Sequence, residues 1–226
     1  MDILYRDNSI AVCVKPAGVL STDEPGGMPS LLAAELGAER RVRSVHRLDR
    51  VVGGVMVYAL SRRAASLLSE QVRAGGFGKR YLAVVHSRPE PERGSFRDLL
   101  LRDKAERKTY VVDRPRPGAQ EAVLNYETLA SADGLSLVRI ELVTGRTHQI
   151  RAQFSSRGLP LVGDKKYSPQ PEGCAAALWS HLLRFTHPDT GRIVEFSAPP
   201  PLEEYPWTLF SGACAGDYSE APGSAG

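Results

Sequence analysis

The strongest constraint on the fold is the recurrence, along the chain, of short apolar runs each closed by a turn signal. Ile3-Leu4-Tyr5 and Ile10-Ala11-Val12-Cys13-Val14 flank Asp7-Asn8-Ser9, the pattern of a β-hairpin with a polar turn. Residues 55–60, 81–85 and 135–143 read as further strands, and His187-Pro188-Asp189-Thr190-Gly191 turns 182–186 back into 192–197 as a second hairpin. Helical signals are fewer. Ser30 can cap a short helix over 31–36 closed by Gly37, and Ser61 can cap an amphipathic helix ending near Gly75-Gly76. A third helix is expected from His148 to Arg157, with Gly158 as its stop. Strands interleaved with so few helices predict an α+β domain on a largely antiparallel or mixed β-sheet, with helices and loops at its flanks. None of the apolar runs approaches the roughly 18 residues of a spanning helix, so no transmembrane segment is expected.

The 226 residues can build a substantial core but are short for two domains. One domain is expected over 1–205. Residues 206–226 are expected as a C-terminal tail, disordered towards its end, because the Gly, Ala and Ser beyond Trp207 show no periodicity. Pro89-Glu90-Pro91 and 114–118 bracket a charged excursion read as a peripheral β segment. The first residues contain neither a cationic leader nor an apolar signal core, which makes a cytoplasmic location the expectation. Cys13, Cys174 and Cys214 are far apart and form no C-x-x-C pair, so neither a disulfide framework nor a cysteine zinc site is expected.

The formal charge is only +3, but a polyanion responds to patches and not to totals. Residues 40–50, 62–80 and 144–167 each carry a local balance of +4, which leaves −9 on the remainder. Such segregation suits an anionic ligand on one face; it also suits a solvated surface.

Three clusters combine glycine, charge and a reactive group. Lys15-Pro16-Ala17-Gly18 leaves the first hairpin and suits a tight turn. In His46-Arg47-Leu48-Asp49-Arg50, followed by Gly53-Gly54 and a strand, the two arginines favour the ionised form of the carboxylate between them. Asp49 is therefore a candidate nucleophile or electrostatic stabiliser, or else a member of a structural Asp–Arg network. Thr144-Gly145-Arg146-Thr147-His148-Gln149-Ile150-Arg151 runs from a strand through a turn into a helix. Its open backbone N–H groups and two arginines suit a phosphate or a carboxylate; a capping and salt-bridge arrangement would use the same residues. On a helix, His148 and Arg151 would share a face.

Taken in order, these motifs resemble those of the RluA-like pseudouridine synthases. That family's H-R-L-D-R-x-T-S-G is answered here by His46 to Gly54, and its G-R-x-H-Q-I-R by Gly145 to Arg151. Its G-x-P-I/L-x-G-D-x-x-Y is answered by Gly158 to Tyr167, its K-P-x-G by Lys15 to Gly18, and its K-x-Y-x-A by Lys79 to Ala83. The resemblance implies the pseudouridine synthase fold, with a central active-site cleft. It also implies isomerisation of a uridine within structured RNA, ribosomal or transfer. The N1–C1′ bond breaks, the uracil turns, and C5 joins C1′. No cofactor and no metal are expected, and the default is a monomer.

By match to the family, Asp49 is the catalytic aspartate, Arg151 the arginine that pairs with it, and Tyr81 the tyrosine beside the uracil and a candidate base for the C5 proton. Three routes stay open for Asp49: attack on the sugar, attack on the base, or removal of the C2′ proton. A stacked nucleotide must be flipped out, and Arg47 matches the residue that fills the gap. His46, Arg50, Arg146 and His148 are expected to contribute to RNA binding, with Lys15, Pro16 and Gly18 as a structural motif. The family's Thr-Ser-Gly is Val52-Gly53-Gly54 here, which removes polar side chains from the loop. Leu60 stands where many members carry lysine. Only 14 residues precede Lys15, so the catalytic domain is expected to recognise RNA without a separate S4-like domain. A catalytically silent RNA-binding protein with the same fold is the alternative; intact Asp49, Tyr81 and Arg151 speak against it. A phosphotransferase is disfavoured because H-R-L-D is not the kinase H-R-D and no D-F-G follows.

Overall fold

The computed structural model describes residues 1–37, 41–169 and 172–218. The elements run β1 (Ile3–Arg6), β2 (Ile10–Lys15), α1 (Met28–Leu36), β3 (Arg43–Ser44), β4 (Gly53–Ala59), α2 (Arg62–Arg73), β5 (Gly78–His86), β6 (Arg93–Asp103) and β7 (Lys108–Val112). They continue with β8 (Gln120–Ala132), β9 (Leu135–Leu142), α3 (Gln149–Ser155), β10 (Leu178–Thr186), β11 (Ile193–Ser197), a 3₁₀ turn Trp207–Phe210 and α4 (Ser211–Tyr218). The strands form one sheet in the order β1-β2-β4-β10-β5-β9-β8-β6-β7, with β11 beside β10 and β3 beside β4. Every pairing is antiparallel except β4 with β10. This is the expected α+β architecture on a mixed sheet. No helix among the described residues is long and apolar enough to cross a membrane.

The central strands are buried on both faces, and period-two alternation sorts their side chains into separate cores. In β5, Tyr81, Ala83 and Val85 join one cluster with Phe154 and Ile150 of α3, while Leu82 and Val84 join another with Trp207 and Phe210. In β4, Met56 and Tyr58 face the α3 side, and Val55, Val57 and Ala59 face Leu68 of α2. Complete burial of Phe154 contributes about 2–3 kcal/mol and presses α3 onto the sheet.

The β4–β10 seam is held to a close backbone approach. A Cβ at Gly54, whose φ is +118°, would lie 2.3 Å from the Ser180 carbonyl oxygen, so only glycine fits there. The loop that carries residues 46–50 leads into β4 at this seam, next to β10 and one strand from β5.

Most of the expected elements form, with three differences. Helix α1 begins at Met28, ahead of Ser30, because Pro29 in its first turn has a fixed φ and gives up no needed N–H, and Gly27 takes the cap position. Helix α3 begins only at Gln149, because His148 adopts the left-handed region at φ 56°. His148 and Arg151 therefore do not share a helical face. The segment 206–226, expected as a tail, is docked over its first part: Trp207, Phe210 and Cys214 are buried against β5 and β9. Those apolar anchors outweigh the Gly, Ala and Ser around them. Of the last dozen or so residues, where disorder is expected, 215–218 complete α4 and 219–226 lie outside the described residues, as does Arg40.

Candidate active site

Asp49 lies on the loop between β3 and β4, and that loop is fixed by backbone contacts at several points. Ser21 Oγ donates to the Leu48 carbonyl at 2.8 Å and accepts from the Leu48 N–H at 3.2 Å. The Leu48 side chain is buried below it. On the other side of Asp49, the Gly18 N–H donates to the Arg50 carbonyl at 2.7 Å, and Arg50 Nε returns a bond to the Gly18 carbonyl at 2.8 Å. Lys15 is fully buried, and its ammonium donates to the carbonyls of Pro16, Val19 and Arg50. Burial pulls the Lys15 pKa down to about 8 against the opposing charge of Asp49. The Lys-Pro-Ala-Gly turn thus clasps the loop that carries Asp49.

Across the cleft, α3 supplies Arg151, whose guanidinium bridges two carboxylates. Nε and Nη2 donate to Asp164 at 2.7 and 2.8 Å, and Nη1 donates to Asp49 Oδ2 at 3.1 Å. Arg151 is 5% exposed and Asp164 is 0% exposed. Burial alone would lower the Arg151 pKa; Asp164 and then Asp49 more than offset it, and the net direction is up. His148 approaches from the same side, with Nε2 3.8 Å from Asp49 Oδ2 and Nδ1 2.8 Å from the Tyr167 hydroxyl. Burial lowers His148 to about 4 despite Asp49, with Arg151, Lys166 and Arg102 adding to the fall, so its imidazole is neutral at pH 7.

Tyr81 projects from β5 into the same space and is 6% exposed. Its pKa is raised by burial and then by the Asp49 charge, partly opposed by a hydrogen bond with Ser180, the residue opposite it on β10. The cleft bounded by these groups has a volume of about 430 Å³. Arg47 and Arg146 line it and are exposed, which gives it a cationic rim. Lys79, two residues before Tyr81, lines it as well. Among the described residues, no group of His, Cys, Asp and Glu side chains gathers as a metal site.

The structure brings Asp49, Tyr81, Arg151, His148, Arg47, His46 and Arg146 to one cleft, but several expected contacts differ. The cation at bonding distance from Asp49 is Arg151, the arginine that the resemblance pairs with it; of the two neighbouring arginines that the residues alone suggest, Arg50 is turned to Gly18 and Arg47 faces the cleft. The 144–151 turn is not an open anion cradle. Gln149 Oε1 accepts the Arg146 N–H at 2.9 Å and the Thr144 hydroxyl at 2.8 Å, and Arg146 Nε donates to the Glu121 carbonyl. His46 accepts the Val57 N–H through Nε2 at 3.1 Å, which ties the loop to β4, and burial lowers its pKa to about 3, with Lys79 adding to the fall. The basic stretches also split: Arg157 pairs with Asp98 and Arg63 with Asp189, outside the cleft lining. Asp164, Ser21 and Lys79 were not singled out as site residues. Asp164 and Lys79 stood inside matched motifs, a signal that could have found them, whereas Ser21 had none.

Comparison with known proteins then gives the family. The family model described as RNA pseudouridylate synthase matches residues 9–156. The chain belongs to the RluA-like pseudouridine synthases. It is 34% identical over 206 residues to the dual-specificity RNA pseudouridine synthase RluA of Haemophilus influenzae, covering 88% of this chain and 92% of that protein. It is 32% identical over 213 residues to the RNA pseudouridine synthase YhcT of Bacillus subtilis, covering 90% of this chain and 70% of YhcT. The solved structure of human RNA pseudouridylate synthase domain containing 4 shares the fold, with a TM-score of 0.76 at 23% identity over 94% of this chain and 92% of that one.

As an RluA-like synthase the chain is an enzyme of the isomerase class that acts on uridine in RNA. Its departure from the family's Thr-Ser-Gly has a packing counterpart. A Cβ at Gly53 would lie 2.4 Å from the Trp179 ring, so the indole occupies the volume that a serine at 53 would need. Trp179 is itself fixed by donation from Nε1 to the Ala198 carbonyl at 2.9 Å.

Proposed function

We propose that this synthase converts specific uridines in stem-loops of ribosomal or transfer RNA to pseudouridine, with Asp49 as the catalytic carboxylate. The observation that carries the reading is the convergence of Asp49, Arg151 and Tyr81, from motifs far apart in the chain, on one cleft of about 430 Å³. That volume lies within the range that buries a small ligand, and it suits a single base taken out of its stack.

Flipping costs a few kcal/mol of stacking. Arg47, exposed two residues before Asp49, offers a planar guanidinium to fill the vacated gap. Inside the cleft, the bond from Arg151 fixes the direction of the Asp49 carboxylate, and Asp164 fixes Arg151, so the reacting oxygen is held before substrate arrives. His148 is neutral and so adds no positive charge beside Asp49. The reaction is an isomerisation: the N1–C1′ pair leaves with the uracil, C5 forms the new bond to C1′, and the C5 proton departs as N1 gains one.

Tyr81 begins as a neutral phenol because burial and the Asp49 charge raise its pKa. Tyr81 can serve the C5 proton only as a relay: its oxygen accepts from C5 as its own hydroxyl proton passes to solvent, from which N1 gains one, with Ser180 beside it.

The test is a map of pseudouridine, by chemical adduct and reverse transcription, in total RNA from cells with and without this protein. Loss of one or a few sites in ribosomal or transfer RNA is expected, restored by the purified protein. Identical maps together with no conversion in vitro would leave the silent RNA-binding alternative standing.

A further inference from the structure

Lys79 is a cleft residue that neither the Asp49 machinery nor the loop clasp uses. It precedes Tyr81 by two positions on β5, so the two side chains stand on the same face of the strand, and both line the cleft. The ammonium lies 5.7 Å from the centre of the Phe77 ring. A Cβ on Gly145 would come within 3.9 Å of Nζ, so the ammonium rests against the turn leading into α3, next to the exposed Arg146.

Lys79 is partly buried, and its surroundings differ from those of the two buried cations at the site. Arg151 has two carboxylates, and Lys15 has three carbonyls. Among the described residues, Lys79 has no carboxylate or carbonyl at bonding distance, only the Phe77 face, and burial lowers its pKa. A partly buried cation without a counter-charge at bonding distance is free to take an anion that enters the cleft. Uracil is neutral, whereas the phosphodiester of the substrate is a fixed anion, and a lysine binds phosphate as a point charge.

We propose that Lys79 binds a non-bridging oxygen of a backbone phosphate adjoining the flipped uridine and so sets the register of the RNA strand along the cleft relative to Asp49. The inference rests on the reading of this cleft as the site of uridine isomerisation.

The experiment compares wild type, Lys79→Gln and Lys79→Arg on a C5-tritiated stem-loop that carries a uridine mapped as a target. Lys79→Gln is expected to raise KM roughly tenfold, the loss of one charge-assisted hydrogen bond. Its kcat should move less than about threefold. The slope of log affinity against log salt should fall by about 0.7 for one lost phosphate contact on a single strand. Lys79→Arg should restore most of the affinity. Neutral methylphosphonates at the phosphates flanking the uridine should weaken wild type and cost Lys79→Gln nothing further; this scan on wild type alone reads the contact if the glutamine variant does not fold.

A fall in kcat at unchanged KM and salt slope would place Lys79 at the uracil and overturn the proposal, as would equal sensitivity of both proteins to the methylphosphonates. If wild type converts no RNA uridine, the functional reading itself fails and takes this inference with it. If wild type converts its target but the Lys79→Gln slope is unaltered, only the Lys79 assignment falls.

Discussion

Arg151 and Asp164 meet edge to edge, with two bonds of 2.7 and 2.8 Å between side chains that are 5% and 0% exposed. Of the N–H groups this leaves, one on Nη1 donates to Asp49. The pair therefore acts as a fixed mount for the carboxylate. Asp164→Asn removes the counter-charge and one acceptor. Urea unfolding should show a loss of about 3 kcal/mol, as expected when one partner of a buried pair is removed. Single-turnover tritium release should fall on the order of 10²-fold at saturating enzyme, because Asp49 is no longer held in position. A variant with lowered stability but a wild-type rate would show that Asp164 supports the fold alone.

The Gly53 and Trp179 contact makes the altered loop a matched pair. Gly53→Ser restores the family's residue but drives a side chain into the indole, and the urea midpoint should report a cost of about 1–3 kcal/mol. Replacing Trp179 with histidine in the same chain should relieve the clash. The double-mutant cycle should then return a favourable coupling of about 1 kcal/mol or more. Strictly additive costs would contradict the contact.

Acid should weaken the fold before its carboxylates titrate. Burial lowers His46 to about 3 and His148 to about 4, below the ordinary histidine value of 6.5. The unfolded chain therefore binds more protons than the folded one below that value, so the stability contribution is full above about pH 6.5 and declines as the pH falls towards 4. Urea midpoints measured between pH 7 and about pH 5, where most carboxylates remain ionised, should fall steadily. His46→Gln keeps an acceptor for the Val57 N–H and removes one titrating group, so it should flatten the slope. An unchanged slope in that variant would show that His46 carries no part of it.

The legible part of this protein lay in short local signals. The two hairpins, the Ser61 cap and the β-type excursion after Pro91 form as expected, because each is decided by a few adjacent residues. Strand β8 had no such signal: its outward Glu121, Asn125 and Glu127 alternate with Ala122, Val123, Leu124 and Tyr126 too irregularly, and its place is fixed by pairing with β6 and β9. At the site, the motif residues are readable, but the residues alone leave the partner of Asp49 open, and only the resemblance names Arg151. Asp49 could have taken its cation from Arg47 or Arg50 next in sequence; it takes it from Arg151, 102 positions away, because the folded sheet brings α3 across the loop. Ser21 shows the same limit, since a lone serine in a loop gives no hint that it will bracket the Leu48 backbone.

The central claim is that Asp49 is the carboxylate on which the isomerisation depends. The direct measurement is single-turnover release of tritium from C5-labelled uridine RNA by wild type and Asp49→Asn, with RNA affinity measured alongside. The account predicts that Asp49→Asn binds the RNA nearly as tightly as wild type and releases no tritium. Release at the wild-type rate by Asp49→Asn would contradict it.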